Sequence, residues 1–143
     1  MKRKSLVALL AGLLLFSFTA SVLADDLPDQ VIVTPYYTYV TSIFADLTIS
    51  GSTATCIGSG KGSSTSNFTT LTVTLQRQSS GSSSWTNVDS WSSTGTGRDL
   101  VRVQKTKSVS SGYSYRVKVS CAITNAQGTQ LEKPIKYSDV VSK

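Results

Sequence analysis

The 143-residue chain has no histidine, which removes Ser-His-Asp and Cys-His nucleophile systems and the zinc enzymes that rely on imidazole ligands. Its net charge of +6 comes from 14 Lys and Arg against 8 Asp and Glu, and half of that excess is Lys2, Arg3 and Lys4 at the extreme N-terminus. Without those three the balance is 11 against 8, or +3, ordinary for a soluble domain and no electrostatic case for a nucleic-acid partner.

Lys2, Arg3 and Lys4 open the three regions of a secretory signal. An apolar run from Leu6 to Phe18 follows, and Val22-Leu23-Ala24 supplies small residues at a cleavage site. The run falls short of the roughly 20 apolar residues of a bilayer span, which predicts cleavage after residue 24. With no cysteine at the cleavage site and no apolar C-terminal tail, the product is expected to be secreted and extracellular, with no stable membrane anchor. Residues 25–35, acidic and broken by Pro28 and Pro35, read as a lead-in to one domain over residues 36–143.

Tyr36-Tyr37-Thr38-Tyr39 opens the first strand, and Ile43, Ala45, Leu47 and Ile49 alternate with Phe44, Asp46 and Thr48, the pattern of a strand with one buried face. After the turn at Ser50-Gly51-Ser52, Thr53 to Ile57 reads as a strand and Gly58 to Asn67 as a loop rich in Gly, Ser and Thr. Leu71, Val73 and Leu75 alternate with Thr70, Thr72, Thr74 and Gln76, which predicts an antiparallel sheet with one wet face.

Trp85 to Trp91 reads as a short strand and Ser92 to Gly97 as a turn. Leu100 to Thr106 reads as a strand ending near Lys105, since Lys105 and Lys107 would otherwise take the buried parity of Val101 and Val103. From Tyr113 to Cys121 the parity sets Tyr113, Tyr115, Val117, Val119 and Cys121 against Ser114, Arg116, Lys118 and Ser120. Asn125-Ala126-Gln127-Gly128 is a hairpin turn, and Gln130 to Tyr137 returns as an edge strand marked by Pro134. About seven short strands with no amphipathic helix predict an all-β antiparallel sandwich.

Cys56 and Cys121 are the two cysteines, and export would place them where a disulfide persists. Their pairing would close about 66 residues, for which the chain-entropy treatment gives roughly 4 kcal/mol. Two free thiols and an intermolecular pair are the alternatives.

Val109, Gly112 and Tyr115, followed by Val117 and Val119, resemble the fibronectin type III pattern in which a tyrosine hydroxyl bonds the backbone just upstream. The resemblance implies an immunoglobulin-like sandwich with that corner role on Tyr115. The chain departs from the pattern at Ser111, where proline is usual, and its cysteine pair resembles the inter-sheet bridge of immunoglobulin domains instead. Most of residues 25–143, including Ser-Trp-Thr-Asn-Val-Asp-Ser-Trp-Ser, also resembles small exported proteins of Gram-positive gut anaerobes grouped as a domain of unknown function, which implies no activity.

No Ser-x-x-Lys or Gly-x-Ser-x-Gly motif is present, and the acids Asp46, Asp89, Asp99, Glu132 and Asp139 lie scattered over different segments. Gly58-Ser59-Gly60-Lys61-Gly62 fails as a phosphate loop, with Thr55 where glycine is needed and Gly62 where Ser or Thr is needed. No enzyme, metal or cofactor is therefore expected. On an unbroken strand Trp85 and Trp91 share a face with Asn87 and Asp89, an aromatic and amide surface suited to sugar rings; the competing use of the rings is to cover the core or a sheet edge, with a bulge between them. Arg116 and Lys118, with Arg98, Arg102, Lys105 and Lys107, would form a basic patch for an anionic glycan or a solvated face that discourages edge pairing. The sequence thus predicts a secreted non-catalytic binding or adhesion module for a carbohydrate or cell-surface ligand. The alternative is a small effector or inhibitor that takes an extracellular protein partner through an exposed strand edge.

Overall fold

In the computed structural model, residues 36–143 are described and fold entirely from strands and turns, while the predicted signal (1–24) and lead-in (25–35) lie outside the described residues. The strands are β1 (Val40–Ser50), β2 (Thr53–Gly62), β3 (Phe68–Ser79), β4 (Thr86–Thr96), β5 (Leu100–Ser108), β6 (Tyr113–Thr124), β7 (Gln130–Glu132), β8 (Ile135–Tyr137) and β9 (Val141–Ser142). They form two antiparallel sheets: a three-stranded sheet in the order β1-β2-β5, and a six-stranded sheet in the order β4-β3-β6, with β7, β8 and β9 all pairing with β6.

Alternating side chains fill the space between the sheets. Leu71, Val73 and Leu75 from β3 meet Val117, Val119 and Ile123 from β6, all fully buried, and Leu47, Ala54, Val101 and Val103 cover them from the opposite sheet. Tyr115 is buried beside them, its Oη donating to the Ser110 carbonyl at 2.8 Å and accepting from the Ser110 amide at 3.1 Å. Gly112 takes a left-handed φ of 85° in the preceding turn, and its amide donates to the Lys143 carbonyl. Val109, also buried, donates its amide to the Ser52 carbonyl, extending the ladder between β2 and β5 by one residue.

Several boundaries differ from the sequence reading. Gly58 to Gly62 is not a loop: β2 continues through it, with Gly58, Gly60 and Gly62 on the inward parity of Ala54 and Cys56. A Cβ on Gly58 would collide with Val73 Cγ2 and stand 2.9 Å from Val119 Cγ2. One on Gly60 would stand 2.7 Å from Cys121 Sγ and 3.0 Å from Leu71 Cδ1. Glycine here marks a close approach of the two sheets, which composition alone mistakes for flexibility.

Similarly, β4 runs on through the serines read as a turn, since Thr70, Thr72 and Thr74 of β3 hydrogen-bond Thr94, Ser92 and Ser90 across the strands at 3.2, 2.9 and 2.9 Å. The first strand starts at Val40, after the tyrosine segment. Glu132 holds that segment down, its carboxylate accepting from the amides of Thr38, Tyr39 and Val40 at 3.1, 2.8 and 3.0 Å.

The expected Cys56–Cys121 disulfide is absent, and both cysteines are buried free thiols. Register explains this. Gly58 faces Val73 and Val119, Gly60 faces Leu71 and Cys121, and Gly62 faces Thr69 and Ile123, so the partner of Cys121 across the core is Gly60. Cys56 lies four residues back along β2, about 13 Å at strand rise, against a Cα reach of about 7 Å for a disulfide. The two thiols also sit in different surroundings. Burial, then the charge of Asp89, pushes the Cys56 thiol up to about 11, while burial, then Glu132, pushes Cys121 up to about 11. Both stay protonated and unreactive at neutral pH.

Candidate functional site

The four residues Trp85, Asn87, Asp89 and Trp91 do not make one surface. Asp89 pairs with Leu75 and Asn87 with Gln76, so Val88 is an extra residue on β4 and the side-chain parity reverses across it. Trp91 and Asp89 consequently turn inward along the open edge of the sandwich, where Trp91 is half-buried against the core. Trp85, just ahead of β4, and Asn87 belong to the outer face of the six-stranded sheet.

At the inner edge Asp89 Oδ2 accepts from Lys107 Nζ at 2.8 Å, linking β4 to β5, the adjacent edge strands of the two sheets. That pairing lets β5 run to Ser108 with Lys107 on the inward parity, where the sequence reading ends the strand near Lys105. An inward charge on an edge strand is tolerated when water and a partner reach it, and it also discourages edge-to-edge association. The Lys107 hydrogen bond, followed by the Ser90 amide, holds the Asp89 carboxyl below the ordinary carboxylate range. A depressed folded-state value means that its contribution to stability is present above about pH 4, the unfolded carboxyl midpoint, and is lost as pH falls through the folded midpoint. Acid titration followed by unfolding should therefore show wild type and Asp89→Asn converging in stability at low pH, with wild type the more stable at neutral pH. A gap that persists unchanged to low pH contradicts the linkage.

The outer face is built around Arg116. The middle of the six-stranded sheet places it there, since β6 is flanked by β3 on one side and by β7, β8 and β9 on the other. Its guanidinium carbon lies 4.1 Å from the Trp85 ring centroid and 4.2 Å from that of Tyr137, so one cation is stacked by two aromatic rings. Arg116 Nε donates to Gln76 Oε1 at 2.9 Å, and Gln76 Nε2 donates to Asn87 Oδ1 at 2.9 Å. Gln76 is 7% exposed, so both ends of its amide are engaged and its orientation is set. Asn87, its carbonyl used, has its amide nitrogen left to offer.

Beyond this cluster the face continues as rows across the sheet. Thr74 pairs with Lys118, which pairs with Tyr137; Thr72 pairs with Ser120, which pairs with Ile135. These rows hold a shallow depression of about 200 Å³ lined by Thr72, Thr74, Lys118, Ser120, Lys133 and Ile135.

The single basic patch read from the sequence is divided: Arg116 and Lys118 belong to the outer face of β6, whereas Arg102 stands on β5 in the other sheet and bonds Gln104. Tyr137 and Gln76 were not singled out in the sequence. Gln76 continues the outward parity of Thr70, Thr72 and Thr74, but nothing short of the strand pairing brings Tyr137 to Arg116. Among the described residues no three His, Cys, Asp or Glu side chains gather into a metal-binding group.

No family model matches the chain, and no curated protein matches it. Among solved structures, the sporulation control protein Spo0M of Bacillus subtilis is similar at 10% identity and a TM-score of 0.38, over 72% of this chain and 50% of that one. The chain thus spans half the length of Spo0M, and a likeness this distant carries no argument about activity.

Proposed function

We propose that this protein is a secreted, non-catalytic binding module with an immunoglobulin-like sandwich, which takes a glycan across the outer face of its six-stranded sheet. The observation that carries the reading is Arg116 held between Trp85 and Tyr137 and tied through Gln76 to Asn87. Both rings stack on the arginine, Tyr137 is 43% exposed and Trp85 is partly exposed. Two aromatic faces beside amide and guanidinium donors suit the apolar faces and hydroxyls of sugars, and the network fixes them before binding, which lowers the ordering cost.

The strand order supports the immunoglobulin-like part. The first, second and fifth strands form one sheet and the third, sixth and seventh lie in the other, with the fourth strand beside the third, not in the first sheet as in constant-type immunoglobulin domains. That arrangement favours the fibronectin type III side of the resemblance. Export is supported by the basic, apolar and small-residue regions of residues 1–24.

Glycan-array binding of wild type, followed by titration of any glycan that binds, tests the reading. Trp85→Ala and Tyr137→Ala are each expected to weaken binding about tenfold or more, with no loss of fold, because both rings lie outside the core. Binding that survives both substitutions overturns it.

A second reading, an effector or inhibitor acting on a protein partner, is favoured by β4. The part of this edge strand beyond the bulge at Val88 and the inward Asp89, Ser90 to Thr96, has no proline or charged residue to block strand addition. A protein captured from host secretions whose binding is abolished by Ser92→Pro, and unaffected at Trp85, would favour that reading over the glycan.

A further inference from the structure

We propose that the depression beside the Arg116 cluster is an oxyanion subsite, so that the glycan recognised by this face carries phosphate or sulfate esters; the inference rests on the glycan reading of the same face. Its lining comprises two lysines, Lys118 and Lys133, three hydroxyl-bearing residues, Thr72, Thr74 and Ser120, and one apolar residue, Ile135. No carboxylate lines it. The ion pair found among the described residues is Asp89–Lys107, at the inner edge of the sandwich, so neither lysine of the depression is neutralised by a carboxylate there.

The hydroxyls are arranged to serve an anion. Thr74 and Thr72 each share a 2.9 Å hydrogen bond with Ser90 and Ser92, in which either oxygen can donate. When the serines donate, each threonine proton is released toward the depression, and an anion there favours that direction. The volume of about 200 Å³ accommodates one tetrahedral oxyanion with its remaining waters.

Protection of a sheet edge does not account for Lys118. Lysines that block strand addition stand on edge strands. Lys118 is on β6, paired to Thr74 of β3 on one side and to Tyr137 of β8 on the other. It lies one row, roughly 7 Å, from Arg116 along the same strand.

The test follows backbone amide chemical shifts of the purified protein during titration with glucose, glucose 6-phosphate, glucose 6-sulfate and inorganic phosphate, with sodium chloride at matched ionic strength. Saturable shifts at Thr72, Lys118, Ser120 and Lys133 are expected with the charged probes and not with chloride. The double variant Lys118→Gln, Lys133→Gln should weaken them about tenfold, the loss expected from two screened charges, while its spectrum elsewhere stays that of the folded protein. Stronger binding of the 6-phosphate assigns phosphate esters, and stronger binding of the 6-sulfate assigns sulfate esters. Shifts that match chloride, or saturable shifts that the double variant leaves intact, overturn the subsite. A neutral array glycan that still binds at Trp85 in the double variant shows that the broader reading does not depend on the subsite. Oxyanion binding by a protein that binds no glycan at Trp85 overturns the broader reading and leaves the subsite standing.

Discussion

Gly58→Val is expected to destabilise the domain by about 3 kcal/mol or more, lowering the thermal midpoint by roughly 15 °C. The added Cβ alone would meet Val73 and Val119, two fully buried side chains opposed across β3 and β6. Both are β-branched with little rotamer freedom, so neither can swing aside, and the sheets must separate to admit the new atoms. Ser59→Val, one residue along and on the opposite face of β2, is the control and should stay within about 0.5 kcal/mol of wild type. Chemical and thermal unfolding of the two variants measures the difference. Equal midpoints would mean that the sheets do not approach as closely as the glycine strip requires.

Gly60→Cys is expected to do the opposite once oxidised. The built Cβ at position 60 lies 3.4 Å from Cys121 Cβ and 2.7 Å from its Sγ, close to the 3.5–4.5 Å Cβ separation of a disulfide, so the contact that crowds any other side chain becomes a bond. Closing a loop of about 60 residues stabilises the oxidised over the reduced variant by roughly 4 kcal/mol in the chain-entropy treatment. Thiol assay of the denatured, unreduced proteins should find two thiols in wild type and one, Cys56, in the oxidised variant. A wild-type protein with no free thiol and no dimer would show that Cys56 reaches Cys121 after all, and would contradict the register.

The core was legible from alternation. Leu71, Val73 and Leu75, and Tyr115, Val117 and Val119, hold positions that only a one-sided strand explains, and the absence of helical periodicity matches the two antiparallel sheets of the described residues. What composition concealed were the segments whose role depends on a neighbour. Gly58 to Gly62 looks like a loop until the opposing valines are in place, and the serines of β4 look like a turn until Thr70, Thr72 and Thr74 supply partners.

The disulfide was a reading of cysteine count and compartment, and neither carries register. Lys107 violates the buried parity of its strand only if Asp89 is left out, and Asp89 reaches it because of the bulge at Val88. The same bulge dissolved the four-residue surface drawn from Trp85, Asn87, Asp89 and Trp91. One extra residue in a strand reverses every side chain beyond it, and nothing local in Thr-Asn-Val-Asp-Ser announces the insertion. Arg116 was on the outward parity from the start, but its aromatic partners come from the far side of that bulge and from a strand after Pro134.

The opposed placement of the two tryptophans gives the most direct test of where this protein binds. Each can be left as the sole indole reporter, Trp85 in Trp91→Phe and Trp91 in Trp85→Phe, and followed by fluorescence while a glycan that binds wild type is added. The account predicts a saturable change in Trp91→Phe, where Trp85 reports from the outer face beside Arg116, and no response from Trp91 at the inner edge. A saturable response from Trp91 with none from Trp85 would contradict it.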